Sequence, residues 1–209
     1  MAASEGYKLN LVLLLGSYDQ NTKELLIQVK GGIADQYGGE GVYGILLDDT
    51  RAYYTGECFV IAEKWADGKW SISLYTHSDG SPIEEFDVSA DDDKKLDLEI
   101  RTILRKTFGE VSIRKLTVLQ KLEELLRISG LVVVVRDKEE TRGGEVAELV
   151  YTILNGQGKK VCVFKKETVE LSTMLREFLD LESVVMRPYK DSADLIRECL
   201  RHVSYRIQP

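Results

Sequence analysis

Apolar residues fall along this chain in two rhythms. Short unbroken runs occur in "LVLLLGSYD" (Leu11 to Asp19), "GVYGILLDD" (Gly41 to Asp49), "LVVVV" (Leu131 to Val135), "KKVCVF" (Lys159 to Phe164) and "SVVMRPY" (Ser183 to Tyr189). Runs of this length without polar alternation predict strands buried on both faces. Between them the spacing changes to three and four. "NTKELLIQVKGGIADQYGG" predicts a helix, broken at Gly31 and Gly32 or ended near Gly38 and Gly39. "GEVAELVYTILN" places Val146, Leu149, Val150, Ile153 and Leu154 on one face, and "DSADLIRECLRHV" does the same with Leu195, Ile196, Cys199, Leu200 and Val203. "TVELSTMLREFLD" reads as a further helix.

Alternating strands and helices predict an α/β fold: one domain over 1–209, with a doubly wound, flavodoxin- or Rossmann-like parallel sheet of five strands in the order 2-1-3-4-5. The middle of the chain departs from this rhythm. Around Ala66-Asp67-Gly68, Phe59, Ile61 and Trp65 alternate on one arm and Trp70, Ile72 and Leu74 on the other. That predicts a β-hairpin insertion at about 56–77. Two extra helices follow at about 90–129, "SADDDKKLDLEIRTILRKTF" and "VSIRKLTVLQKLEELLRISG", the second with Val118, Leu122, Leu125 and Leu126 inward. The triple Asp suits a helix start, though it also offers carboxylates to a cation. The two tryptophans read as packing residues.

Composition narrows the function. A net charge of −7 leaves room for local basic patches, but the overall balance argues against nucleic acid as the main partner. Cys58, Cys162 and Cys199 are odd in number and far apart, and read as reduced thiols of a cytoplasmic protein. "LVLLL" is too short to cross a membrane, and no targeting signal is read at the start of the sequence. His77 and His202 sit in unrelated segments, offer no zinc pattern and read as surface residues. No metal and no cofactor is expected.

Ligands of open α/β sheets sit outside the carboxyl ends of the strands. Here that edge collects Gly16, Ser17, Tyr18 and Asp19, then Asp48 with Asp49 and Arg51, then Arg136 to Glu145 with Asp137, Arg142, Gly143 and Gly144. Asp48 equally suits a turn cap. Tyr18, Tyr53 and Tyr54 are candidates to stack on a base. Two carboxylates, Glu145 and Glu148, follow the glycines. A phosphate at this helix start would meet both, which argues against a dinucleotide or P-loop site. A cleft carboxylate suits attack on an anomeric carbon or support of an oxocarbenium-like centre. It also suits the helix dipole alone.

Apolar strand, polar loop, Gly144-Glu145-Val146-Ala147-Glu148, then "GQGKKVCVF" together resemble the nucleoside 2-deoxyribosyltransferase family. The resemblance implies that Glu148 is the nucleophile that takes the sugar, and that the loop Gly16 to Tyr18 helps form the pocket. It implies an acidic residue upstream that handles the base; Arg142 stands there, and Asp137 is the substitute at hand. It also implies a homo-oligomer. The expectation is cleavage or transfer at the N-glycosidic bond of a nucleoside or nucleotide. The alternative is a non-catalytic nucleotide-binding or protein-interaction module of the same fold.

Overall fold

In the computed structural model, residues 11–17, 19–56, 58–64, 69–75, 82–139 and 144–207 are described. The chain forms two compact units. One comprises residues 1–46 and 129–209, the other residues 47–128.

The first unit holds a parallel sheet of five strands: β1 (Leu11–Gly16), β2 (Tyr43–Leu46), β8 (Leu131–Arg136), β9 (Val161–Lys166) and β10 (Val185–Tyr189). Their order across the sheet is β2-β1-β8-β9-β10. Four helices accompany them: α1 (Gln20–Tyr37), α4 (Gly144–Thr152), α5 (Thr173–Leu181) and α6 (Ser192–Ile207). Val12 and Leu14 of β1, Leu131, Val133 and Val135 of β8, and Phe164 of β9 form one core with Leu26, Val29 and Ile33 of α1 and Leu195, Cys199 and Val203 of α6. The alternate positions Leu13, Leu15, Val132, Val134 and Val163 are buried too, as are Leu149 of α4 and Leu179 of α5. Each such side chain contributes roughly 1.5–3 kcal/mol. Burial on both faces explains why β1, β8 and β9 carry no polar alternation. β10 departs from that expectation, because it is an edge strand in which only Tyr189 is buried.

Helix α1 runs unbroken through Gly31 and Gly32 and is capped at Gly38. Gly32 stays small because a Cβ there would lie 3.2 Å from Ile196 Cγ2 of α6. Gly31 faces open space. Gly31→Ala is therefore expected to stabilise the protein by about 0.5–1 kcal/mol, read as a higher midpoint in thermal unfolding. The second strand is shorter than its apolar run. Gly41 turns the chain in the left-handed region (φ 77°), and Leu47 to Thr50 form a turn that leaves the first unit. Helix α4 also ends early. Its last turn widens across Ile153–Gln157, with Gly156 at φ 74°, and this leaves Leu154 70% exposed instead of inward.

The second unit corrects the hairpin expectation. Its arms are present as β4 (Phe59–Lys64) and β5 (Lys69–Tyr75), which pair antiparallel. They belong to a five-stranded sheet with β3 (Thr50–Tyr54), β6 (Pro82–Ser89) and β7 (Arg114–Lys115), ordered β6-β5-β4-β3-β7. The expected turn at Ala66-Asp67-Gly68 and Trp65 lie outside the described residues. β6 escaped the sequence pattern because it is a largely exposed edge strand with Glu84, Glu85 and Asp87 in it. Trp70 is buried and donates to the Ala90 carbonyl (3.3 Å), the expected packing role.

Helix α2 (Asp93–Phe108) packs Leu96, Ile100 and Leu104 on Val60, Ala62, Trp70 and Ile72. Of the triple Asp, Asp92 is the helix cap and accepts Lys95 N–H (2.8 Å). No His, Cys, Asp and Glu group among the described residues is arranged to hold a metal. Helix α3 (Val118–Ile128) starts later than its apolar pattern. Thr117 and Gln120 form a reciprocal cap, Gln120 N–H to Thr117 Oγ1 (3.3 Å) and Thr117 N–H to Gln120 Oε1 (3.2 Å). The cap fixes the start, and Val118 is 65% exposed, not inward.

Lys121 of α3 is buried and donates to the carbonyls of Leu47 (2.5 Å) and Thr50 (3.0 Å). Lys121→Met removes a charged donor from two carbonyls and is expected to cost about 1–3 kcal/mol in denaturant unfolding. No loss would mean that water replaces the ammonium.

Candidate functional site

The sheet of the first unit turns two ways from its middle. β1 leads to β2 on one side, while β8 leads to β9 and β10 on the other. Ligands of open α/β sheets bind beside such a reversal of strand order, which here falls between β1 and β8. β1 ends at Gly16, and Asp19 then caps α1, accepting N–H from Asn21 (3.1 Å) and Thr22 (3.3 Å) on Oδ1. The Thr22 hydroxyl lies 2.7 Å from Asp19 Oδ2 and 2.7 Å from Asp137 Oδ1, just past the end of β8. Lys138 Nζ pairs with Asp19 Oδ2 at 2.7 Å. Two adjacent strand ends are thus joined through one hydroxyl and one ammonium.

Partial burial pushes the Asp19 carboxyl up, but the Lys138 ammonium, the Thr22 and Ser17 hydroxyls and the Thr22 N–H outweigh it. Asp19 is held well below the usual carboxylate range and is ionised at neutral pH. Gly16 permits this closeness. A Cβ there would lie 3.1 Å from Thr22 Cγ2, 3.2 Å from Leu26 Cδ1 and 3.2 Å from the Val135 carbonyl of β8. On the far side of the loop, Glu139 Oε1 accepts Glu170 N–H (3.2 Å) from the segment after β9. Asp137, Lys138 and Glu139, the residues that directly follow β8, are thus each held by a side-chain contact.

Glu148 is the fifth residue of α4 and is half-buried. Its backbone carbonyl accepts the Thr152 hydroxyl (2.7 Å). Gly144 and Glu145 open the same helix. Tyr18, Arg142, Gly143 and His77 lie outside the described residues, as does the Glu145 side chain. Among the candidates, Gly16, Ser17, Asp19 and Asp137 come together. Asp48 belongs to the second unit, in the turn before β3, where its carbonyl accepts Arg51 Nη1 (3.2 Å). Tyr53 is in that unit too, buried and donating to Asp97 Oδ1 (2.5 Å). Burial first, and Asp97 beside it, raise its phenol far above the ordinary value.

Sequence reasoning missed Thr22 and Lys138. The signal for Thr22 was Asp19 three residues earlier at a helix start, which is a capping pattern. Lys138 is one of several charges in "RDKEE" and only its fold neighbours single it out.

His202 corrects the surface reading. It is 5% exposed, its ring stands edge-on to Phe164 (centroids 6.2 Å apart), and neither ring nitrogen has a hydrogen-bond partner. Cys58, Cys162 and Cys199 are buried free thiols. Burial raises Cys162 to about 12 against the opposing Arg187, so it is a core residue and not a nucleophile. Among the described residues no helix is long and apolar enough to cross a membrane. No protein-family model, no curated protein and no solved structure matches this chain.

Proposed function

We propose that this protein cleaves or exchanges the N-glycosidic bond of a nucleoside or nucleotide on a doubly wound, Rossmann-like sheet. The observation that carries the reading is the pairing of Asp19 and Asp137 through Thr22 at the β1–β8 boundary, in the unit whose next helix carries the half-buried Glu148. A carboxylate held there, Asp137, suits a centre that becomes positive and disfavours a phosphate.

In this reading a Glu148 oxygen attacks the anomeric carbon. The bond to the base nitrogen breaks, and its electron pair leaves with the base, which takes up a proton. Water or a second base then attacks the same carbon and releases Glu148. Water gives hydrolysis, and a base gives transfer.

The test is to trap the intermediate. The protein is incubated with a nucleoside bearing a 2-fluoro sugar, digested, and analysed by mass spectrometry. A peptide containing Glu148 is expected to gain the mass of the sugar. Label on another residue, with base released, would move the nucleophile elsewhere.

A further inference from the structure

We infer that Thr22 is a positioning residue that orients the Asp137 carboxyl for the chemistry of this site, and that Asp19 and Lys138 act by fixing Thr22. This rests on the glycosidic reading above. Asp19 is engaged on both oxygens: Oδ1 by two backbone N–H groups, Oδ2 by Lys138 and the Thr22 hydroxyl. It is the anchor of the arrangement. Asp137 is held differently. Its Oδ1 meets the Thr22 hydroxyl across 115 positions of chain, which links it to Asp19.

A hydroxyl carries a single proton, so the two carboxylates compete for it. The Lys138 ammonium stabilises Asp19 as an acceptor without Thr22, which leaves the Thr22 proton available to Asp137. Thr22 is fully buried, and its methyl side fills the space beside Gly16, so its rotamer is fixed by packing. Capping alone requires only Asp19, whereas a hydroxyl shared with Asp137 sets a direction for a group at the strand-end crevice. Asp19 and Lys138 therefore touch the ligand in no step; they determine where Asp137 stands.

The experiment is a double-mutant cycle on base release from nucleosides, with Glu148→Ala as the inactive control. Thr22→Val is expected to lower kcat by about tenfold to a hundredfold. Thr22→Ser restores the hydroxyl and stays within about twofold of wild type. In an Asp137→Asn background, Thr22→Val costs less than about a further twofold, because its effect runs through Asp137. Lys138→Met, at a half-exposed position that leaves folding secure, follows the same pattern: a loss in the wild type and little in Asp137→Asn. It decides the matter if Thr22→Val does not fold.

Losses that multiply independently of Asp137→Asn, or a Thr22→Ser protein as impaired as Thr22→Val, would overturn the inference alone. Absence of base release by folded wild-type protein would remove the glycosidic reading and this inference together.

Discussion

Glu148→Ala is expected to lower turnover by about a thousandfold or more while the protein stays folded. The separation of the two effects follows from where Glu148 sits. It lies inside α4, where alanine is the better helix former. The local helix is held by Leu149, which is buried, and by the Thr152 hydroxyl, which bonds the Glu148 carbonyl and not its side chain. The unfolding midpoint should therefore correspond to a change within about 1 kcal/mol. Glu148→Gln keeps the shape and removes the charge. It should bind nucleoside and release no base. A Gln variant that turns over as wild type would reject the nucleophile role, because an amide does not replace a carboxylate in that step.

The second large effect is on stability against acid, and its source is His202. Burial, first, and the cationic Arg187 and Arg206, second, lower its pKa from the ordinary 6.5 to about 4. A group whose folded pKa is depressed favours the deprotonated fold. Its stabilisation is fully present above pH 6.5 and is lost as pH falls from there to about 4. The difference corresponds to roughly 3 kcal/mol across that window. His202→Leu removes the titration and two ring nitrogens without partners, so its stability should be equal to or above that of wild type at pH 7. Thermal unfolding followed between pH 7 and 4.5 should fall more steeply for wild type than for His202→Leu. Equal slopes would show that carboxylates alone cause the acid loss.

The central strands of the first unit were legible because burial on both faces leaves an unbroken apolar run, as in "LVVVV". Their helices were legible through spacing, down to Leu195, Cys199 and Val203 of α6. The second unit was not. β3 holds Tyr53 and Tyr54 beside Arg51, and β6 is an acidic edge, so neither presents a one-sided pattern. Helix limits shifted where a local bond prevailed over the apolar stripe, as Thr117 and Gln120 did at Val118. At Leu154 the widened last turn of α4 did the same.

The site was half legible. Gly16, Ser17, Asp19 and Asp137 were named from the rule that strand ends gather ligands, and the fold groups them. Thr22 and Lys138 could not be found that way. Thr22 belongs to the site through a contact 115 positions away, a relation without any local pattern. His202 misled for a similar reason. An imidazole in an apolar stripe reads as surface until the strand beneath it, with Phe164, is in place.

The most direct measurement is chromatography of wild-type protein and Glu148→Ala after incubation with a mixture of nucleosides, deoxynucleosides, nucleotides and a second free base. The expected result is a new free base, or a new nucleoside built on the added base, with wild type only. Folded wild-type protein that binds a component of the mixture and leaves every glycosidic bond intact would contradict the account, and would assign the crevice to a binding module without catalysis.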